Sequence, residues 1–156
     1  MPTFEISTTI RKPVDVIVAA LMKADNHPFW TRNLERFEVV SGEPGKAGAV
    51  GRLHYLENGR RYVLKDRMIE AEPGKRYVSR VTGDVLEATV ETRLRPVDKG
   101  TEMTLRWSGR GTRFPANLML PLMRRRMVKQ SQGELETFRQ LVETRGSNFS
   151  DAPGNS

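Results

Sequence analysis

The feature that most constrains the fold is a two-residue alternation of apolar and polar side chains in the middle of the chain. Between Phe37 and Gly109 the alternation recurs in short segments that turn residues separate. One separator is Asn58-Gly59, a strong signal for a two-residue hairpin turn. Such segments are strands with one buried face, and tight turns between them require antiparallel neighbours.

The alternation predicts strands from the N-terminus through the middle of the chain. They are Thr3–Ile10, Phe37–Val40, Ala49–Leu56, Arg60–Ala71, Lys75–Val81, Val85–Arg95 and Thr101–Gly109. Between the first two, the spacing predicts an amphipathic helix over about 13–24 and a short turn or helix at Pro28.

The C-terminal third has helical rather than two-residue spacing. The apolar residues that recur at helical intervals are Leu120, Met123, Met127, Leu135, Phe138 and Val142. They predict one long helix from Asn117 to about Glu143, with Gly146 as its cap. Only this helix is large enough to cover the apolar face of the sheet. The predicted fold is α+β, a curved antiparallel sheet of six to seven strands wrapped around a long C-terminal helix.

A chain of 156 residues suits one domain, which we place at residues 1–145. The remaining segment, Gly146 to Ser156, is rich in Gly, Ser, Asn and Pro and is predicted to be a disordered tail.

Composition excludes several kinds of site. The chain has no cysteine and only two histidines, His27 and His54, which rules out disulfides and thiolate zinc sites, and we predict no metal and no cofactor. No segment reaches the roughly 20 apolar residues of a membrane span. The N-terminus lacks the apolar core of a signal peptide, so a cytoplasmic protein is expected.

The net charge of +7 raises the question of an anionic partner. Arg and Glu interleave on the predicted outer face of the sheet, without aromatic residues to stack on bases, so nucleic-acid binding is not expected. The run Arg124-Arg125-Arg126 is either an exposed helix flank or a weak contact with an anionic membrane. The sequence carries no signal for an oligomeric state.

The order of several short motifs resembles a known superfamily. The motifs are Ile10–Val14, Asn26–Trp30, Gly42–Gly51, Met68–Pro73, Gly100-Thr101 and the long terminal helix. In this order the chain, over about residues 1–145, resembles the START-like (SRPBCC, helix-grip) superfamily, in particular its polyketide cyclase/dehydrase and lipid-transport group. The resemblance implies a cavity for a hydrophobic ligand between sheet and helix. Some members are cyclases and others lipid carriers, and no shared catalytic motif can be carried over.

Asp66 is the most informative candidate residue. It shares its predicted face with Tyr62, Leu64 and Met68, where a carboxylate costs several kcal/mol unless it is paired or protonated. We therefore expect Asp66 to line the cavity and to bind a ligand hydroxyl or act as an acid or base. The alternatives are a structural pair with an arginine, or a bulge that turns the side chain outward.

Aromatic and methionine side chains on the inner faces complete the candidate site, although core packing is the alternative role for each. The predicted ligand-binding residues are Trp30, Leu34, Tyr55, Tyr62, Asp66, Met68, Trp107, Met123 and Met127. We expect His54 to face outward and His27 to be a surface or capping group near the cavity mouth.

These expectations favour a module that binds or carries a small hydrophobic, lipid- or polyketide-like molecule. The alternative is an enzyme of the cyclase, dehydratase or isomerase kind that uses cavity acid and base groups, so enzymatic activity stays open. A third possibility is a partner-binding module without a cavity.

Overall fold

A computed structural model describes residues 2–150 of the chain. In chain order the elements are β1 (Thr3–Ile10), α1 (Val14–Met22), a 3-10 helix (Ala24–Phe29), β2 (Leu34–Ser41), β3 (Val50–Glu57), β4 (Arg60–Glu72), β5 (Arg76–Thr82), β6 (Leu86–Val97), β7 (Gly100–Gly111), α2 (Ala116–Leu122) and α3 (Arg124–Arg145). Within residues 2–150 the strands form one antiparallel sheet of seven, in the order β1-β7-β6-β5-β4-β3-β2. The predicted α+β architecture is confirmed.

Tight turns set the register of the sheet. Asn58 and Gly59 have φ of 52° and 77°, which is the left-handed conformation that a two-residue hairpin between β3 and β4 requires. β6 and β7 are paired from Leu86–Gly111 to Val97–Gly100, the longest ladder in this part of the chain. Because side chains alternate along each strand, this register directs one set of residues toward α3 and the other toward solvent.

The first strand lies at the edge of the sheet opposite to the second. β1 pairs with β7, whereas β2 pairs with β3. The connection through α1 and the 3-10 helix therefore crosses the full width of the sheet. Its buried residues include Ile17, Ala20 and Asn26, which close one end of the structure.

The long C-terminal helix is confirmed, but it begins at Arg124 and not at Asn117. The prediction of one continuous helix passed over Pro121, which lies inside α2 and has no N–H to donate to the preceding turn. Helical geometry is lost at Met123, with φ −91° and ψ 2°, and α3 starts after it. The short helix α2 contains no buried residue.

The prediction of a disordered tail is wrong for residues 146–150. Phe149 is fully buried, with its ring 5.6 Å from that of Phe138 in an edge-on arrangement. The buried amide of Asn26 donates to the Ser147 carbonyl oxygen at 2.8 Å and accepts from the Phe149 N–H at 3.0 Å. One aromatic residue and one buried amide thus order a segment whose composition predicts disorder. The rest of the predicted tail, residues 151–156, lies outside the described residues.

The outer face of the sheet carries cross-strand ion pairs. Arg76 donates to Glu91 at 2.7 Å, and Arg95 lies 3.0 Å from Glu102. Glu87 accepts from Arg110 at 3.0 Å. These pairs agree with the interpretation of this face as a solvated surface of alternating charge.

We predict that Phe149→Ala destabilises the protein by about 3 kcal/mol, because it empties a fully buried aromatic site. Phe114→Ala is the matched control, since Phe114 is 75% exposed. Urea denaturation of the two variants and the parent measures the difference. Equal stability of the Phe149→Ala variant and the parent would contradict the packing of this segment.

Candidate functional site

A cavity of about 540 Å³ lies between the inner face of the sheet and α3. The buried residues of α3, Leu135, Phe138 and Val142, all lie in the second half of the helix. In the first half Met127, Ser131 and Glu134 line the cavity, and Met127 also packs against the edge of the core cluster. The cavity therefore lies under the part of α3 in which no side chain is fully buried.

The structure places eight of the nine predicted ligand-binding residues on the cavity wall. They are Trp30, Tyr55, Tyr62, Asp66, Met68, Trp107, Met123 and Met127. Leu34 is not among the wall residues, although the buried cluster that it forms with Leu53, Val81 and Ala88 borders the cavity through those three residues. β2 begins at Leu34, three residues before the predicted start of the strand, and the side chain packs as core.

Asp66 lies on the inner face of β4, where the alternation predicts it. Burial raises the pKa of its carboxyl to about 6, although a hydrogen bond from the Ser79 hydroxyl opposes the shift. Within residues 2–150 no arginine or lysine forms an ion pair with Asp66. The bulge in this strand lies between Met68 and Glu70, so it does not turn Asp66 outward. Asp66 is therefore neither paired with an arginine nor turned outward by a bulge.

Two stacked tyrosines form the wall at the β3–β4 hairpin. The rings of Tyr55 and Tyr62 are 5.0 Å apart and nearly parallel, at 7°. The Tyr62 hydroxyl donates to Glu57 at 3.1 Å, and burial together with this bond raises the pKa of Tyr62 to about 12. Burial is also the main cause that raises the pKa of Tyr55, followed by the nearby Glu134 carboxylate. Both phenols are therefore neutral hydrogen-bonding groups at physiological pH.

Glu134 is a cavity residue that the sequence analysis missed. Its carboxylate accepts from the Arg32 N–H at 2.8 Å, while burial raises its pKa above the usual range. A signal was present, because Met127, Ser131 and Glu134 follow each other at intervals of four and three along one helix face.

His27 is also a wall residue, not a surface or capping group. Its ring lies 4.6 Å from that of Phe37 and its Nε2 is 2.9 Å from the Leu21 carbonyl oxygen. Burial lowers the pKa of His27 to about 4, so the imidazole is neutral near pH 7. Phe37 fits here because Gly51 has no side chain, and an added Cβ would lie 2.6 Å from the ring. His54 lies on the outer face as predicted, 2.8 Å from Glu38.

Trp30 contributes the one polar atom that has no partner among the buried side chains of residues 2–150. Its indole packs edge-on against Phe138, at 5.0 Å, while its Nε1–H is buried without an acceptor. A buried donor left unpaired costs about 1–3 kcal/mol. The atom has no exposure to the cavity, so a ligand acceptor could pair with it only after the indole shifts.

Three residues of the cavity wall are also well exposed at the surface. Tyr62 on the β3–β4 hairpin and Met123 before α3 are 41% and 37% exposed, and Val39 on β2 is 44% exposed. The cavity therefore has an opening beside Met123, and Val39 marks a second place where its wall reaches solvent. Arg126 also lines the cavity and lies at the surface of the same part of α3.

The remaining chemistry of the described residues is limited. Within residues 2–150 no three His, Asp or Glu side chains are grouped so that they could hold a metal ion. No helix in this range combines the length and the hydropathy of a membrane span.

A curved seven-stranded sheet wrapped around a C-terminal helix is the helix-grip fold, and here it encloses a largely apolar cavity. The chain belongs to the polyketide cyclase / dehydrase and lipid transport family, whose model matches residues 1–143. This family has a fold that binds hydrophobic ligands, in agreement with the resemblance noted from the sequence. No curated protein matches the chain in sequence.

Several solved structures share the fold at low sequence identity. The Zhui aromatase/cyclase from a Streptomyces species aligns with a TM-score of 0.74 and 18% identity, over 92% of this chain and 94% of its own. Ara h 8.0201 aligns with a TM-score of 0.71 and 21% identity, over 90% of this chain and 96% of its own. Protein CV1439 from Chromobacterium violaceum aligns with a TM-score of 0.73 and 16% identity, over 91% of this chain and 97% of its own.

We predict that Asp66→Asn makes the protein more stable at neutral pH than the parent, and that the gain vanishes near pH 3. Asp66 ionises near 3.8 in the unfolded chain but only near 6 in the folded protein. Its ionisation therefore opposes folding increasingly as the pH rises from about 4 to above 6, by about 3 kcal/mol at most.

Urea denaturation of both proteins from pH 3 to pH 8 measures this difference in stability. Because both proteins retain Glu134 and His27, the pH dependence of the difference comes from Asp66 alone. Asp84→Asn supplies the same substitution at an exposed position. A stability difference between parent and Asp66→Asn that stays constant with pH would show that Asp66 is solvated.

Proposed function

We propose that this protein binds or carries a small, mainly apolar and electrically neutral molecule in the cavity between its sheet and α3. The observation that carries the proposal is a mainly apolar cavity wall that includes the buried carboxyl of Asp66. This carboxyl has a hydrogen bond with Ser79 but no ion-pair partner within residues 2–150.

The wall chemistry supports a ligand of a particular type. Leu64, Met68, Leu105 and Trp107 are among the apolar groups that would replace water around hydrocarbon or aromatic surface. Removing such surface from water is worth about 25 cal/mol per Å². Trp30 offers a donor to a ligand carbonyl or ether, and Asp66 offers hydrogen bonding to a ligand hydroxyl.

The same wall disfavours a ligand with an anionic group inside the cavity. Burial already raises the pKa values of Asp66 and Glu134, so a further negative charge near them would add repulsion to its own desolvation. A lipid- or polyketide-like molecule with hydroxyl and carbonyl groups fits this description.

An enzymatic role of the cyclase, dehydratase or isomerase kind is the second candidate. Asp66 favours it, because a buried carboxyl with a pKa of about 6 exchanges protons near neutral pH. The name of the Streptomyces relative, an aromatase/cyclase, points in the same direction. Conversion of a bound poly-β-carbonyl compound into a dehydrated product, seen as a loss of mass in native mass spectrometry, separates this role from carriage.

We predict that Ser131→Phe weakens binding of the neutral probe N-phenyl-1-naphthylamine roughly tenfold or more, because its ring occupies cavity space. Fluorescence titration gives the two dissociation constants. Gln132→Phe is the control, since Gln132 is the next residue of α3 and is exposed. Unchanged probe binding in the Ser131→Phe variant would place the probe, and the proposed ligand site, elsewhere.

We further predict that Trp30→Phe discriminates between two neutral naphthalenes of similar shape. The variant should bind 2-acetylnaphthalene about fivefold more weakly than the parent, because it lacks the donor for the carbonyl. Binding of 2-ethylnaphthalene, which has no acceptor, is the internal control and should change little. Competition with the fluorescent probe measures both. An equal loss for the two compounds would mean that Trp30 acts only by packing.

A further inference from the structure

The helix α2 and its flanks form an exposed apolar surface that the cavity does not explain. Its members are Phe114, Leu118, Met119, Leu122 and Met123, which are between 37% and 85% exposed. We call these five residues the α2 patch. Leu118 and Leu122 are four residues apart on α2, so they project from the same side of the helix.

Exposure on this scale is unusual for a helix. Leu122 is 85% exposed and Leu118 is 60% exposed, and α2 contains no buried residue. Clustered apolar side chains of this kind mark interaction surfaces in proteins. We therefore expect the α2 patch to contact apolar material other than residues 2–150 of the same chain.

The charges around the patch identify that partner. No acidic residue occurs between Glu102 and Glu134, whereas the segment contains seven basic ones. Those next to the patch are Arg113, Arg124, Arg125, Arg126 and Lys129. Arg113 and Arg124 donate to the backbone carbonyl oxygens of Asp84 and Thr3. Within residues 2–150 no carboxylate forms an ion pair with any of the five.

We propose that the α2 patch with its basic border docks the protein on the surface of an anionic lipid bilayer. Leucine, methionine and phenylalanine side chains would enter the boundary between headgroups and acyl chains, while the arginines contact phosphate groups. Each basic residue near an anionic surface adds to the attraction. The uniform positive border complements a continuous sheet of anionic headgroups and would repel a second copy of the same patch.

The patch is continuous with the opening of the cavity. Met123 belongs to the patch and also lines the cavity, and Arg126 lies one turn further along α3 on the cavity wall. Docking through the α2 patch would therefore place the opening at the lipid surface. The docking proposal itself does not depend on which molecule the cavity binds.

The test is co-sedimentation of the protein with vesicles of phosphatidylcholine, with or without one third phosphatidylglycerol. We expect binding to the anionic vesicles only, and weaker binding when the salt concentration rises. Leu118→Gln with Leu122→Gln should lower the partition coefficient roughly tenfold. Arg125→Gln with Lys129→Gln should lower it roughly tenfold or more.

Matched controls lie on the outer face of β4. Val63→Gln with Ile69→Gln changes two apolar residues that are 47% and 45% exposed. Lys65→Gln with Arg67→Gln removes two exposed positive charges. Both control pairs should leave vesicle binding within about twofold of the parent, since their face is remote from the α2 patch.

Three results would overturn the proposal. The first is failure of the parent protein to bind anionic vesicles. The second is an equal loss of vesicle binding in the patch variants and the control variants. The third is absence of vesicle binding together with self-association in analytical ultracentrifugation that Leu118→Gln with Leu122→Gln abolishes. Probe binding in the cavity is measured without lipid, so the outcome for the membrane surface leaves the ligand proposal separately testable.

Discussion

The structure depends on the second half of α3, which carries the fully buried side chains of this helix. Leu135, Phe138 and Val142 are fully buried and share a core cluster with residues of β1 such as Phe4 and Ile10. The preceding turns of the helix bury no side chain. Met127 and Val128 extend the contact with this cluster but stay partly exposed, and Ser131 and Glu134 follow on the cavity wall. The cavity thus lies under the part of α3 in which no side chain is fully buried.

The residues after α3 pack against the buried half of the helix and connect it to the cavity wall. The Asn26 amide accepts from the Phe149 N–H, which ties the 3-10 helix to the residues after α3. It also donates to the Ala20 carbonyl oxygen, which ties the 3-10 helix to α1. Phe138 contacts both Phe149 and Trp30. The indole of Trp30 therefore packs on the same aromatic group that holds the residues after α3.

The sheet was predictable from the sequence because alternation and turn residues are local signals. They placed Asp66 on the inner face of β4 without any knowledge of the other strands. Two of the misses concern long-range packing. Phe149 lies in a segment of polar composition, and its burial depends on an amide 123 residues away in the sequence. His27 stacks on Phe37 of β2, and the ring of Phe37 has its space because Gly51 of β3 has no side chain. The start of α3 was a local signal that the prediction overlooked, at Pro121.

Charge is divided between the interior and the surface in a way that bears on both proposals. Burial shifts the pKa values of Asp66 and Glu134 upward and that of His27 downward, so each group moves toward its neutral form. The formal net charge of +7 counts Asp66 and Glu134 as ionised, so protonation of either carboxyl makes the protein more positive. An anionic group would be attracted to the arginines beside the cavity opening but would lose hydration inside. A neutral ligand in the cavity and anionic headgroups outside it are the combination that this distribution of charge favours.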